Sequence, residues 1–361
     1  MLKKELMTTE ALTPPEGGIH FKTSKAMNWV DFFDSFPDPN FDVSFLQVYI
    51  NNKLTDIPAN ALTADAGDDI RIVSLSDPSK PYPFFYPSGK DYIAPIEEPL
   101  PFMDNADFSY YFENCGSLVS IPENLFINNP QITNFSYCFY HCKTLTSIPE
   151  GLFDNNSNAT NFTYCFSDCT SLTSIPEGLF DNNSNATNFT SCFDSCTSLI
   201  SIPEELFNNN PNATNFMACF RDCRALTSIP QGLFDNNLNA TNFRYCFRDC
   251  RALTSIPDGL FDNNPNVTDF NNCFYNCTSL ISIPLGLFDK NLNVIHFGQC
   301  FEYCENLTVN VQIGSTTTSS VNVYNFARGT AAKGTVYCRA GSKAYNAFLA
   351  STSANVNVLT Y

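Results

Sequence analysis

Thr146-Ser-Ile-Pro-Glu-Gly-Leu-Phe-Asp-Asn-Asn-Ser-Asn-Ala-Thr-Asn-Phe-Thr-Tyr-Cys-Phe-Ser-Asp-Cys-Thr-Ser-Leu172 is a 27-residue phrase that recurs with few changes between about Asp107 and Leu307. Its Ile-Pro pair falls at Ile121, Ile148, Ile175, Ile202, Ile229, Ile256 and Ile283, always 27 residues apart. A strict period without insertions makes each phrase one coil of a solenoid, because a unit too small to bury its own apolar face must stack that face on its neighbours.

The spacing inside the phrase predicts how a coil is built. Leu145 and its equivalents stand three residues before the Ile-Pro isoleucine, so Leu-x-x-Ile-Pro reads as one short parallel strand per coil, ended by a proline that lacks a donor and fixes φ. Leu152-Phe153 precedes Asp-Asn-Asn, a cluster that turns the chain. Phe162, Cys165, Phe166 and Cys169, spaced 3, 1 and 3, fit a short helical turn with an apolar inner face. Three phenylalanines per coil, in register, predict a continuous aromatic spine.

Cys-Phe-x-x-Cys-x-x-Leu-x-x-Ile-Pro, complete at Cys165–Pro176 and at Cys192–Pro203, resembles the BspA-type leucine-rich repeat and its relative, the bacterial surface protein repeat family. The resemblance implies a leucine-rich-repeat solenoid and a place among cell-surface and adhesive proteins of gut and oral bacteria. Similar repeats occur in some bacteriophage virion proteins. It brings no catalytic residues and no cofactor.

Around the repeat the chain changes character. Residues 1–16 read as an exposed arm, 17–100 as a small β domain with a proline-rich connection from Pro78 to Pro101, 101–313 as the solenoid, and 314–361 as an α+β cap. In the β domain, Phe41–Ile50 alternates apolar and polar, Asn51-Asn52 supplies a turn, and Gly67-Asp68 leads into a strand from Asp69. Ile57-Pro58 mimics the phrase but is out of phase, 64 residues before Ile121. Past Leu307 the phrase decays, and Val309 and Val311 suggest a last strand. Thr335–Cys338, a helix capped by Ser342, and Val356–Tyr361 follow as strand, helix and strand.

The formal charge of −17 and the lack of a basic run disfavour nucleic acid and anionic membrane as partners. The first residues develop no apolar signal region and no span of about 18 apolar residues appears. A cytoplasmically assembled particle, such as a phage, suits that reading. An envelope protein that has lost a leader is the other option.

Fourteen of the sixteen cysteines form seven pairs four residues apart, with Cys115 and Cys338 left over. Buried thiols in two ladders are expected, disulfides between coils remain open, and zinc lacks a second ligand pair. Asp154, Asp181, Asp235, Asp262 and Asp289 predict an acidic column on a hydrated turn, without the glycine-rich pattern of calcium-binding repeats. Arg221, Arg224, Arg244, Arg248 and Arg251 gather in two neighbouring coils with Tyr245 beside them. This patch reads either as an ion network closed by Asp222 and Asp249 or as an anion site for a phosphorylated or sulfated glycan.

No nucleophile elbow, zinc-protease motif or phosphate loop is present, and His20, His141 and His296 are scattered. The expectation is a non-enzymatic recognition protein on a virion surface that binds host-surface glycan or protein through the solenoid. Its amino-terminal region would dock other virion or envelope proteins. A bacterial cell-surface adhesin and a purely structural virion spacer are the alternatives.

Overall fold

The computed structural model describes residues 19–23, 27–28, 46–55, 63–74, 93–96 and 98–361. The arm, Ile57-Pro58 and the segment from Phe41 to Phe45 lie outside the described residues. Ahead of the repeat run β1 (Ile19–Thr23), β2 (Met27–Asn28), β3 (Leu46–Ile50), β4 (Lys53–Thr55), β5 (Thr63–Ala64), β6 (Asp69–Ser74) and β7 (Ile93–Ile96). Five of them make a sheet in the order β4-β3-β6-β1-β7, and β2 pairs with β5. The β3–β4 hairpin turns on Asn51 and Asn52, at φ 49° and 62°, the left-handed pair that a two-residue loop demands. Part of the expected proline-rich connection is instead a strand. β7 carries Pro95, tolerated because β7 is the sheet's edge. Arg71 on β6 bonds Glu98 at 2.5 Å, and His20 on β1 bonds Asp69 at 2.8 Å.

The repeat is a stack of coils. Parallel bridges run in one column from Asp107 through Asn134, Asn161 and Asn188 to His296 and Asn322. Three columns of phenylalanine fill the interior. Phe153, Phe180 and Phe207 stack at 6.0 Å, Phe162, Phe189 and Phe216 at 5.6 and 5.7 Å, and Phe166, Phe193 and Phe220 at 5.7 Å. All nine are fully buried. Fully burying one such ring is worth about 1.5–3 kcal/mol, so every coil is stabilised chiefly by the coil beside it.

The backbone reverses the two local expectations. The segment from Phe162 to Cys169 is no helix: the N–H groups of Phe162, Tyr164, Phe166 and Asp168 reach Asn188, Thr190, Cys192 and Asp194 of the next coil at 2.7–3.0 Å. Between them Cys165, Ser167 and Cys169 close tight turns on Phe162, Tyr164 and Phe166 at 3.1–3.3 Å. Tyr164 and Asp168 sit at φ 55° and 60°, which no right-handed helix permits. The 3-1-3 spacing marks which side chains point inward and is silent on whether the N–H groups bond within the coil or across it.

The Leu-x-x-Ile-Pro segment, expected as the strand, holds neighbouring coils by weaker contacts such as Thr173 N–H to Thr146 O at 3.4 Å and Ile200 N–H to Thr173 O at 3.2 Å. Proline is the reason, since it withholds a ladder donor in every coil. In the last coil Val311 takes the place of the proline, and there β8 (Thr308–Ile313) forms. It begins a parallel sheet with β9 (Ala332–Cys338) and β10 (Val356–Thr360). Helix α1 (Lys343–Ala350) joins β9 to β10, its N-cap Ser342 accepting from the Tyr345 N–H at 3.0 Å. Phe348 of α1 packs edge-on to Phe326, which meets Phe301 edge-on at 5.5 Å. These rings close the end of the aromatic columns.

Candidate functional site: the variable face of the coil stack

Because alternate N–H groups of the turn run point along the stack, the intervening geometry presents the side chains at the positions of Thr163, Tyr164, Ser167, Asp168 and Thr170 on one lateral face. Variation between coils concentrates there. One coil offers Ser136, Tyr137, Tyr140, His141 and Lys143, another Arg244, Tyr245, Arg248, Asp249 and Arg251.

At the amino-terminal end Tyr110, Tyr137 and Tyr164 stack at 4.6 Å with interplanar angles of 8° and 10°. Tyr140 stands edge-on to Tyr137 at 5.5 Å. Burial, and then the neighbouring Tyr164 and Tyr110 phenols, raise the Tyr137 pKa above its ordinary value. His141 pairs with Asp168, and Lys143 approaches the same carboxylate at 3.9 Å.

Further along lie the six residues singled out from sequence, all on this face. Arg221 makes a bidentate pair with buried Asp194, at 2.9 and 2.5 Å. Arg224 does the same with Asp222, at 2.8 and 2.9 Å. Arg248 and Arg251 share Asp249 at 3.0 and 3.7 Å. Arg244 has no carboxylate within ion-pair distance among the described residues. Its Nη2 donates to the Tyr245 hydroxyl at 2.6 Å and its guanidinium lies 4.6 Å from the Tyr245 ring. Its Nε is buried without a partner. Arg248 stands between two rings, 5.5 Å from Tyr245 and 4.3 Å from Tyr275. Four of the five guanidiniums thus form ion pairs with three carboxylates, Arg244 acts on Asp269 only at longer range, and two aromatic rings support Arg244 and Arg248.

Asp194 and Tyr275 belong to this cluster although the sequence reading did not select them. The signal was available, for Asp194 stands one period before Arg221 and Tyr275 one period after Arg248. Burial raises the Asp194 pKa from its usual value even though Arg221 works against it.

The other ladders are inward. All sixteen cysteines are free and buried, and the second of each pair donates its thiol to a phenylalanine carbonyl of the preceding coil, as Cys196 does to Phe166 at 3.2 Å. Burial pushes the Cys196 and Cys223 thiols well up, which makes them poor nucleophiles and poor metal ligands. Among the described residues no group of three or more His, Cys, Asp or Glu is placed to hold a metal ion. In the Asp-Asn-Asn corner Asp154 and Asn155 are exposed, but Asn156 is fully buried. The corner is therefore only partly the hydrated turn that was expected. Its third residue is a buried ladder: Asn183 Nδ2 bonds Phe153 O and Asn156 O at 3.1 and 2.9 Å.

Residues 106–233 match a family described as Mycoplasma proteins of unknown function, DUF285. No curated protein sequence matches the chain. Among solved structures it is similar to Toll in the Drosophila Toll–Spätzle complex, at 15% identity and TM-score 0.36, covering 71% of this chain and 35% of Toll. A leucine-rich repeat protein from Bacteroides ovatus matches at 16% identity and TM-score 0.28, covering 74% and 94% of the two chains. A leucine-rich cell surface protein from Faecalibacterium prausnitzii matches at 15% identity and TM-score 0.25, covering 74% and 89%. The chain spans about a third of the Toll chain it matches. At these TM-scores the architecture rests on the coil geometry described above, a leucine-rich-repeat-like stack whose coils are turns and cross-coil ladders.

Proposed function

We propose that this protein is a non-enzymatic recognition module displayed on a surface, binding a glycan or protein of a host cell through the variable face. The observation that carries the reading is the cluster of Arg244, Tyr245, Arg248 and Tyr275, where partly exposed guanidiniums exceed their carboxylates and lie against aromatic rings. Arginine and tyrosine in such an arrangement bind carboxylate, sulfate or phosphate groups and stack on sugars or side chains. The amino-terminal sheet would attach the module to its platform. A bacterial envelope is the platform we favour; a phage particle is the finer alternative, and none of the similar structures described above is a virion component.

A second reading has an observation of its own. Four of the five arginines are paired with carboxylates, which a purely structural spacer would also need.

Glycan-array and host-cell binding of the full chain separates the two. Recognition predicts binding that falls at least tenfold in Arg248→Glu while the thermal midpoint moves little. A spacer predicts no binding, or binding that Arg248→Glu leaves unchanged.

A further inference from the structure

A second surface lies on a different edge of the stack. A groove of about 910 Å³ crosses six coils from Gln131 to Asn266, walled on one side by a column of asparagines and on the other by a column of threonines. Ala159, Ala186, Ala213 and Ala240, between the walls in sequence, are fully buried and do not line the groove. The walls are held in place from within the protein. Asn185 Nδ2 donates to Ser157 O at 2.9 Å and Asn212 Nδ2 to Ser184 O at 3.0 Å. The Thr187 and Thr214 hydroxyls donate to Thr160 O and Thr187 O at 3.2 Å. Each coil still offers the asparagine Oδ1, its second N–H and the threonine lone pairs.

We propose that this groove binds an extended, neutral, β-linked polysaccharide, one sugar to each coil. The lining contains no charged side chain, on a chain of net charge −17. Exposed Asp154, Asp181 and Asp262 stand four residues before the wall asparagines, so a polyanion is repelled. The lining contains no aromatic ring either, which leaves hydrogen bonding to hydroxyls as its chemistry. The pitch selects the polymer. Coils repeat at about 4.8 Å, whereas an extended peptide advances about 3.3 Å per residue and falls out of step. An extended β-1,4-linked hexose chain advances by nearly one coil spacing per sugar and stays in step along the groove. Single contacts of this kind are weak, so affinity must accumulate with length, much as linked sites gain from effective concentration.

Calorimetric titration of the full chain with β-1,4-linked gluco-, manno- and xylo-oligosaccharides, from disaccharide to octasaccharide, tests this. Affinity should climb with length and level off near the hexasaccharide, since six coils contribute wall residues. Thr187→Val with Thr214→Val removes two wall hydroxyls at nearly constant shape and should weaken the longest ligand at least tenfold. Should that variant unfold, Asn185→Ser with Asn212→Ser shortens the opposite wall and should weaken binding as well. Arg248→Glu should leave this binding unchanged. Binding that survives both wall variants but is lost in Arg248→Glu would place the ligand on the arginine face, overturning the groove while the recognition reading stands. Failure of every oligosaccharide to bind, or affinity independent of length, overturns the inference outright.

Discussion

Asn210 gives the sharpest test of what holds neighbouring coils together. Its Nδ2 donates to Phe180 O at 3.0 Å and to Asn183 O at 2.9 Å, and the residue is fully buried. Alanine removes both bonds. Neither carbonyl is stranded, because Phe180 O keeps the Asn183 N–H at 3.0 Å and Asn183 O keeps the Ala186 N–H at 2.9 Å. The loss is therefore two hydrogen bonds at about 0.5–1.5 kcal/mol each. Removing Oδ1, which is buried without a partner, offsets part of it. The expected cost is about 1–3 kcal/mol, or a fall of roughly 0.3–1 M in the urea midpoint at a slope near 3 kcal/mol/M.

Asn210→Asp should be worse at neutral pH, since it aims a carboxylate at two carbonyl oxygens in a dry column. Burial raises the pKa of such a carboxyl in the folded state. The folded chain then binds more protons than the unfolded chain, so the variant's stability falls as pH rises through the raised pKa and recovers below about pH 4. Urea unfolding followed by circular dichroism at pH 7 and pH 4 measures both effects, with exposed Asn209→Ala as the control expected within about 0.5 kcal/mol of the parent. Should Asn210→Ala match that control, or should alanine and aspartate behave alike at both pH values, the buried amide column does not bind the coils as argued.

Three further outcomes are expected. Phe193 stacks between Phe166 and Phe220 at 5.7 Å on each side, so Phe193→Ala should cost about 3–5 kcal/mol in the same unfolding assay. Burial raises the pKa values of Asp194 and Asp269 in the folded state, and each contribution is fully present below the unfolded value and lost as pH rises through the folded one. The parent should gain stability from pH 7 toward about pH 4, and the double change Asp194→Asn with Asp269→Asn should flatten that rise. An aromatic disulfide reagent should label almost none of the sixteen buried thiols in the native protein and all of them in urea, counted by absorbance. Labelling of several thiols without denaturant would contradict the packing of both ladders.

The coil stack was legible because its evidence is translational. A residue type repeated every 27 positions must be stacked on its copies, and Phe162, Cys165, Phe166 and Leu172 announced the interior without any knowledge of the backbone. Backbone bonding was not legible, because a 3-1-3 spacing fits a helical turn and a run of turns equally well. The deciding features are Tyr164 and Asp168 at positive φ, and neither is glycine. The buried fate of Asn156 was hidden for a related reason. Asp, Asn and Asn are alike in turn preference, and only the inward direction of the third converts a turn residue into a ladder. At the candidate site the arginines stood out, while Asp194 and Tyr275 required reading down a column, one period away, rather than along the chain.

Column logic also bears on what the arginine face is for. Amides, hydroxyls and rings gain by lying on copies of themselves, as the asparagine, threonine and phenylalanine columns do, but like charges lose. Arg221 and Arg248 are consecutive members of one column whose neighbouring positions hold Tyr140, Ser167, Asp194 and Tyr275. Two unit charges one coil apart, at about 4.8 Å, repel by about 1 kcal/mol in water and by more where solvent is partly excluded. Asp194 and Asp249 offset this, yet a serine or tyrosine at the same position needs no offset, and the coils that carry them are built with the same turns. Arg221 serves the scaffold by pairing with buried Asp194, whereas Arg248, whose carboxylate Asp249 is also approached by Arg251, is the member of the pair that the scaffold needs less. Arg244, which makes no ion pair among the described residues though its charge is felt by Asp269, adds a further cation to the same face. A cost borne by the free protein and relieved when an acidic partner arrives is the expected signature of a binding surface, and it is what Arg248→Glu puts to the test.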